Sequence, residues 1–234
     1  MRMSGNTILI TGGATGIGHA MAGSFLARCN TVIICSRRED RLAQAARELP
    51  GVHTVRCDVS DPGDRNELLK YMSEKFPEVN ILINNAGIQR DIDLTKEIPD
   101  AENDEVRINF EAPICLSSLF VPLLSGKDNA AIMNVTSGLA FNVERAAGMP
   151  IYCATKAGLH AFSIAQRVQL APLGIRVVEI IPPMVESELN IEGRRKRNML
   201  KSPYMMTSDE YVEKALVKVE EGLDEVRFEG RFGK

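Results

Sequence analysis

The stretch from Thr7 to Leu26 restricts the possible folds more than any other part of the chain. Thr7-Ile8-Leu9-Ile10-Thr11 is a short, β-branched apolar run, the pattern of a strand buried on both faces of a parallel sheet. It passes directly into Gly12-Gly13-Ala14-Thr15-Gly16-Ile17-Gly18, after which Ile17, Ala20, Met21, Phe25 and Leu26 fall near one helical face. Strand, glycine-rich turn and helix in that order make a dinucleotide-binding unit. Glycine lets the backbone approach a pyrophosphate, and the helix N-terminus offers free N–H groups and a positive dipole end. Gly12, Thr15, Gly16, Ile17 and Gly18 are therefore candidate cofactor-binding residues. A merely structural turn would also carry glycine, but the strand and helix on either side favour the binding role.

The next strand, Thr31 to Cys35, ends in Ser36-Arg37-Arg38. Folds that bind NAD place an acidic residue about 20 residues beyond the glycines, where it grips the ribose hydroxyls. Here that position is Ser36. A carboxylate would repel a 2′-phosphate, whereas guanidinium binds one bidentately, so Arg37 points to NADP(H) over NAD(H). Arg38 has a plainer alternative, pairing with Glu39 or Asp40 at a solvated helix start.

Further along, Leu42, Ala45, Ala46 and Leu49 mark a helix, and Val52 to Cys57 a third strand ending at Asp58-Val59. Ser60-Asp61-Pro62 reads as a cap with proline in the first turn, opening a helix with Leu68, Leu69, Met72 and Phe76 as its buried stripe. Ile81 to Ile83 is a fourth strand, closed by Asn84-Asn85-Ala86-Gly87. Glu105 to Leu124 reads as a long helix carrying Asn109, with Pro113 expected to bend or split it. Ala130 to Val135 is the fifth strand and delivers Thr136-Ser137-Gly138; Ile175 to Ile181 is the sixth and ends in Pro182-Pro183. Thr207 with Glu210 forms a capping box before a last helix bearing Val212, Ala215, Leu216, Val219 and Leu223. Val226-Arg227-Phe228 would close the sheet. Strands alternating with helices predict an α/β fold, a single doubly wound Rossmann-like domain over residues 1–234 with a mostly parallel six- to seven-stranded sheet. Residues 184–207, polar and rich in charge, are expected to form a lid over the substrate.

Composition excludes several function classes. With 234 residues, net charge −3 and a sequence pI near 5.8, the chain is not built for nucleic acid or an anionic membrane surface. No apolar run is expected to reach the ~20 residues of a membrane span, no signal peptide is expected before the first strand, and the default compartment is the cytoplasm. Cys29, Cys35, Cys57, Cys115 and Cys153 are scattered with no Cys-x-x-Cys spacing, and His19, His53 and His160 do not cluster beside them. Reduced, mostly buried thiols are expected, with neither a disulfide framework nor a metal site.

Tyr152-Cys153-Ala154-Thr155-Lys156 sets a phenol and an ammonium four residues apart on one helical face. An adjacent cation lowers a phenol's pKa toward the range useful for acid–base work. Alone the spacing is a common accident. Together with Thr-Gly-x-x-x-Gly-x-Gly at Thr11 to Gly18 and Asn-Asn-Ala-Gly at Asn84 to Gly87, it resembles the short-chain dehydrogenase/reductase family over nearly the whole chain. By wording, the chain is most similar to the subgroup that contains a reductase encoded beside bacterial lipoteichoic-acid D-alanylation genes.

That resemblance implies a catalytic tetrad of Asn109, Ser137, Tyr152 and Lys156, and hydride transfer between a nicotinamide and a small-molecule carbonyl or alcohol. Tyr152 would exchange the proton, Lys156 would lower its pKa and hold the nicotinamide ribose, Ser137 would fix the substrate oxygen, and Asn109 would bind a water leading to solvent. It further implies cofactor contacts at Asp58, Val59, Asn85, Ala86, Gly87, Pro182 and Val185, with Ser187 at the place of a family threonine, and a homodimer or homotetramer formed through the helices of Asn109 and Tyr152. Two departures stand out: a 15-residue step from Ser137 to Tyr152, which enlarges the loop Phe141 to Pro150, and Pro183 where the family has glycine. A non-catalytic NADP(H)-binding sensor and a sugar-nucleotide epimerase or dehydratase are the alternatives. The intact tetrad weighs against the first, and the roughly 50 residues left after Pro182 against the second. Arg194-Arg195-Lys196-Arg197 fits a solvated lid segment, an anion-binding patch or a targeting signal.

Overall fold

The computed structural model describes residues 1–98, 104–196 and 205–228. Strand β1 (Thr7–Thr11) sends Ile8 and Ile10 into one core and Leu9 into the other, as a period of two requires. It is joined by β2 (Thr31–Ser36), β3 (His53–Arg56), β4 (Ile81–Asn84), β5 (Ala131–Val135), β6 (Arg176–Ile181) and β7 (Glu225–Arg227). The order is β3-β2-β1-β4-β5-β6-β7 and every pairing is parallel. The seventh strand expected at 226–228 is thus present, one residue earlier.

Parallel strands need crossovers, and these place helices on both faces. Helix α1 (Gly16–Ala27) buries Met21 and Phe25 on one face, where α8 (Ser208–Glu220) adds Tyr211 and Leu216. On the other face α3 (Pro62–Lys75) contributes Leu68 and Met72. Two local sequence signals act as expected: the Asp61 side chain accepts the Asp64 N–H ahead of Pro62, and the Thr207/Glu210 capping box is complete. Helix α2 (Glu39–Glu48) buries Leu42 and Ala45, but Ala46 is exposed and Leu223 lies beyond the end of α8.

Pro113 neither bends nor splits its helix in the ordinary way. Residues 104–124 run as α4 (Asp104–Val106), a π-helical turn (Arg107–Glu111) and α5 (Ala112–Leu124). Proline has no N–H for the carbonyl four residues back, so the helix widens by a residue and the Ala112 N–H bonds Arg107 O instead. By length and composition this 21-residue stretch would suffice to cross a membrane, contrary to the expectation from sequence. In the fold it buries Leu116, Phe120 and Leu124 against the sheet.

A polar chain inside the protein fixes α5 and α6 (Pro150–Leu170) to the strand ends. Asn84 donates to Ser117 Oγ (3.1 Å) and Asn134 Oδ1 (2.9 Å), and Asn134 donates to Ser163 Oγ (2.9 Å) and Gln166 Oε1 (2.8 Å). Buried amides bonded to one another across the strand ends in this way resist sliding, which helps to fix the axial position of Tyr152. Cys35, Cys57 and Cys153 are buried, Cys115 is half-buried and Cys29 is exposed. His160, Glu179 and Glu225 bring ligand-type atoms within 4.8 Å of one another. Two of the three are already engaged with each other: His160 Nδ1 lies 2.8 Å from Glu179 Oε2, while Thr136 donates to Glu179 Oε1 at 2.7 Å.

Candidate active site

From β1 the chain winds toward β3, and from β4 toward β7, so a crevice opens between their carboxyl ends. A cleft of about 660 Å³ occupies it, within the size range of small-molecule sites. The glycine turn forms its floor. Gly12 and Gly16 have φ of +64° and +58°, in the left-handed region that side chains rarely adopt. A Cβ on Gly12 would lie 2.8 Å from Ala86 Cα, and one on Gly18 2.4 Å from Asn85 Nδ2.

Thr11 locks the turn to the end of β4. Its hydroxyl oxygen accepts the N–H groups of Asn85 and Ala86, each at 3.0 Å, and the Asn85 amide donates to Thr11 O (2.9 Å) and Gly12 O (3.1 Å). The Asn85 side chain therefore shapes the turn and is committed to it.

At one end of the cleft lie Ser36, Arg37, Asp58 and Val59. Burial works against the Asp58 charge, but two hydrogen bonds from Ser60 and the fields of Arg37 and Arg56 outweigh it and hold this carboxyl below the usual range. Arg37 is exposed and makes no hydrogen bond or ion pair among the described residues. Arg38 pairs with neither Glu39 nor Asp40; it reaches Thr15 Oγ1 at 3.5 Å and Glu188 at 3.8 Å.

The opposite end gathers Ser137, Tyr152 and Lys156 in the cleft wall. Tyr152 and Lys156 are 5% and 4% exposed. Burial pushes the phenol up to about 12, with the Ser137 hydroxyl pulling it partway back, Arg194 also lowering it and Cys153 and Glu105 opposing. Burial also pulls the Lys156 ammonium down to about 8. The expectation that Lys156 lowers the Tyr152 pKa is not met in this geometry. Its Nζ donates to Val135 O at 2.8 Å and stands 5.8 Å from the Tyr152 ring centroid, over the ring face.

Asn109 departs from expectation as well. Its amide grips the main chain after β4, accepting from Ile88 N and donating to Ile88 O, both at 2.8 Å, with a further bond to Thr155 Oγ1 at 3.3 Å. That side chain has no spare donor pointed at a water.

Beyond β6, Pro182 O accepts the Gly138 N–H at 2.8 Å, and Val185, 3% exposed, bridges to Met206. Pro182, Pro183, Val185 and Ser187 all line the cleft, so the second proline leaves this wall in place. The enlarged loop brings Asn142, Gly148 and Met149 to the cleft. Arg194, on α7 (Ile191–Lys196), donates to Val185 O at 3.2 Å and Ser187 O at 3.4 Å, folding the segment back on itself. Arg197, with the rest of residues 197–204 of the expected lid, lies outside the described residues. Three contributors escaped sequence reading. Thr155 and Glu105, which accepts the Arg90 N–H at 3.0 Å, support the site from behind. The third, Glu188, is 150 residues from Arg38 and carries no local signal.

A parallel doubly wound sheet with a glycine cradle at its switch point and a Ser, Tyr and Lys cluster opposite defines a nucleotide-dependent α/β enzyme. A model of the short chain dehydrogenase family matches residues 6–198, and the chain belongs to that family of oxidoreductases, within the DltE subgroup. It is 45% identical over 228 residues to an uncharacterized oxidoreductase, DltE, of Bacillus subtilis (strain 168), covering 97% of this chain and 89% of that one. A solved short-chain dehydrogenase from Sphingobium yanoikuyae in complex with NADPH is 27% identical with a TM-score of 0.81, over 94% of this chain and 87% of that chain. A 3-ketoacyl-(acyl-carrier-protein) reductase from Brucella melitensis complexed with NADH shares the fold over the full length of both chains, at 24% identity and a TM-score of 0.85.

Proposed function

We propose that the chain is an NADP(H)-dependent oxidoreductase in which one Rossmann unit holds both the cofactor and a small carbonyl or alcohol substrate, with Tyr152 as general acid/base. The observation that carries this is the burial of Tyr152 and Lys156 side by side in the wall of one cleft, next to Ser137, with the glycine cradle at its far end. The cradle fits a dinucleotide. Gly12 and Gly16 leave backbone, not side chain, against the cleft floor, Gly18 lets the turn pack on Asn85, and the start of α1 at Gly16 and Ile17 borders the cleft. Gly12, Thr15, Gly16, Ile17 and Gly18 would hold the pyrophosphate, Asp58 and Val59 the adenine, and Asn85, Ala86, Gly87, Pro182 and Val185 the nicotinamide half. Bound there, nicotinamide supplies or accepts the hydride.

The residues do the rest. A phenol at about 12 is protonated at neutral pH, in the state needed to give its proton to a developing alkoxide. Ser137 holds the substrate oxygen beside that phenol. Lys156, charged below about pH 8, adds positive potential where negative charge grows and can turn from Val135 O to the ribose. Asn109 acts from behind the wall, its amide holding the chain after β4 at Ile88 and reaching Thr155.

Arg37 supports NADP(H) over NAD(H), since the fold itself is shared by proteins solved with NADPH and with NADH. The exposed apolar face of α6, with Ala154, Ala161, Ile164 and Val168, supports a homo-oligomer. Turnover of NADPH with a panel of carbonyl compounds by the purified protein tests the whole. No turnover with any of them, in either direction and with either cofactor, would sink it.

A further inference from the structure

One charged bridge across the cleft has no part in the chemistry above. Glu188, from the segment after β6, places Oε1 3.1 Å from Arg41 and Oε2 3.8 Å from Arg38. Both arginines belong to the opposite wall, at the start of α2 just beyond β2. Neighbouring Ser187 lies on the glycine turn, so close that a Cβ on Gly16 would stand 3.4 Å from Ser187 Cβ. Arg37, Arg38 and Glu188 all line the cleft, and Arg38 also touches Thr15. Arg41 is shared with Asp40 at 4.0 Å and Gln44 at 3.2 Å; Glu188 is the acid that comes from across the cleft.

Resting on the NADP(H) assignment above, we propose that Glu188 is a specificity-determining residue for the cofactor. It holds Arg38 and Arg41 at the place where a ribose 2′-phosphate would seek them. A 2′-phosphorylated nucleotide must displace this carboxylate or share its guanidinium groups, and two anions on one set of cations repel. A nucleotide with a free 2′-hydroxyl meets no such opposition. Glu188 therefore narrows the preference that Arg37 creates. The three side chains are 32–46% exposed, so water and salt screen the effect, and a modest ratio is expected.

The test is titration of the full-length protein with NADPH and with NADH, read by nucleotide fluorescence, for wild type, Glu188→Gln and Glu188→Ala at low and high salt. Both variants should tighten NADPH about two- to fivefold, leave NADH unchanged, and lose that gain at about 0.5 M salt. Equal changes for both nucleotides, or weaker NADPH binding, would overturn the assignment; the second would make Glu188 a clasp over bound cofactor. Thermal midpoints identify any variant that misfolds, and either substitution alone suffices. Wild-type protein that binds neither nucleotide would overturn the reading of the cleft itself, and the Glu188 assignment with it. Wild-type binding with an unaltered ratio in the variants would overturn Glu188 alone.

Discussion

The two walls of the cleft are built differently. The wall of β4, β5 and α6 is nearly dry. Asn84, Asn109, Asn134, Ser137, Tyr152, Thr155 and Lys156 are all buried, and the amides are tied to partners within about 3 Å. Opposite, the segment after β6 reaches α2 through one half-exposed glutamate, Glu188, paired with Arg38 and Arg41. Buried hydrogen bonds cost much to misplace and fix geometry, whereas exposed ion pairs contribute little and rearrange freely. On the proposed function, reaction geometry belongs to the rigid wall and choice of ligand to the adjustable one.

The sharpest way to break this division is Tyr152→Phe. It should cut turnover by about 10³-fold or more while leaving NADPH affinity within about twofold; a variant that retains a tenth of the wild-type rate would remove Tyr152 from the chemistry. Lys156→Met probes the energetic burden of the same wall. Burial lowers the folded pKa of Lys156 from 10.5 to about 8, so the unfolded chain binds more protons between those values and stability rises with pH there. The substitution should abolish activity, flatten that rise between pH 8 and 10, and stabilise the protein by about 3 kcal/mol at pH 7, read by urea denaturation. Equal or lower stability of the variant would mean that Val135 O fully compensates the buried charge.

On the adjustable side effects should be smaller. Arg37→Asp is expected to weaken NADPH about tenfold to a hundredfold and NADH little, by the same fluorescence titration; unchanged NADPH affinity removes Arg37 from the phosphate site. The smallest change is Thr207→Ala, which breaks the capping box that starts α8, where the proposed lid would end. It should cost about 1 kcal/mol without altering turnover at saturating substrate. A large loss of turnover would couple the lid to this helix far more tightly than the fold suggests.

Much of this was legible in the chain. Strand runs such as Ile81-Leu82-Ile83 and the glycine turn are local patterns, and local patterns report buried strands and close backbone approach well. Of the residues that the family resemblance singles out, Ser137, Tyr152 and Lys156 line one cleft, and Asn109 packs behind it on Ile88 and Thr155. What the spacing lacked was the environment. Four residues of helix say that Lys156 neighbours Tyr152, but burial of both, and the pull of Val135 O, set the direction in which each pKa moves. Pro113 announced a disturbance without saying that it would be a π-turn, because a break and a widening satisfy the same missing N–H. Glu188 was invisible, since pairing across 150 residues is a property of the fold alone.

The π-turn at Arg107–Glu111 has a consequence for how this site could change. A wide turn spends one extra residue, so the helix before it and the helix after it are out of phase by about 100°. Point substitutions at Asn109 alter one amide. Deletion of Phe110 or Glu111 would remove the extra residue, leave Pro113 without room for its ring, and turn Asn109 by about 100° against Leu116 and Phe120. For this part of the molecule, register matters more than identity, and an indel is a larger step than any replacement.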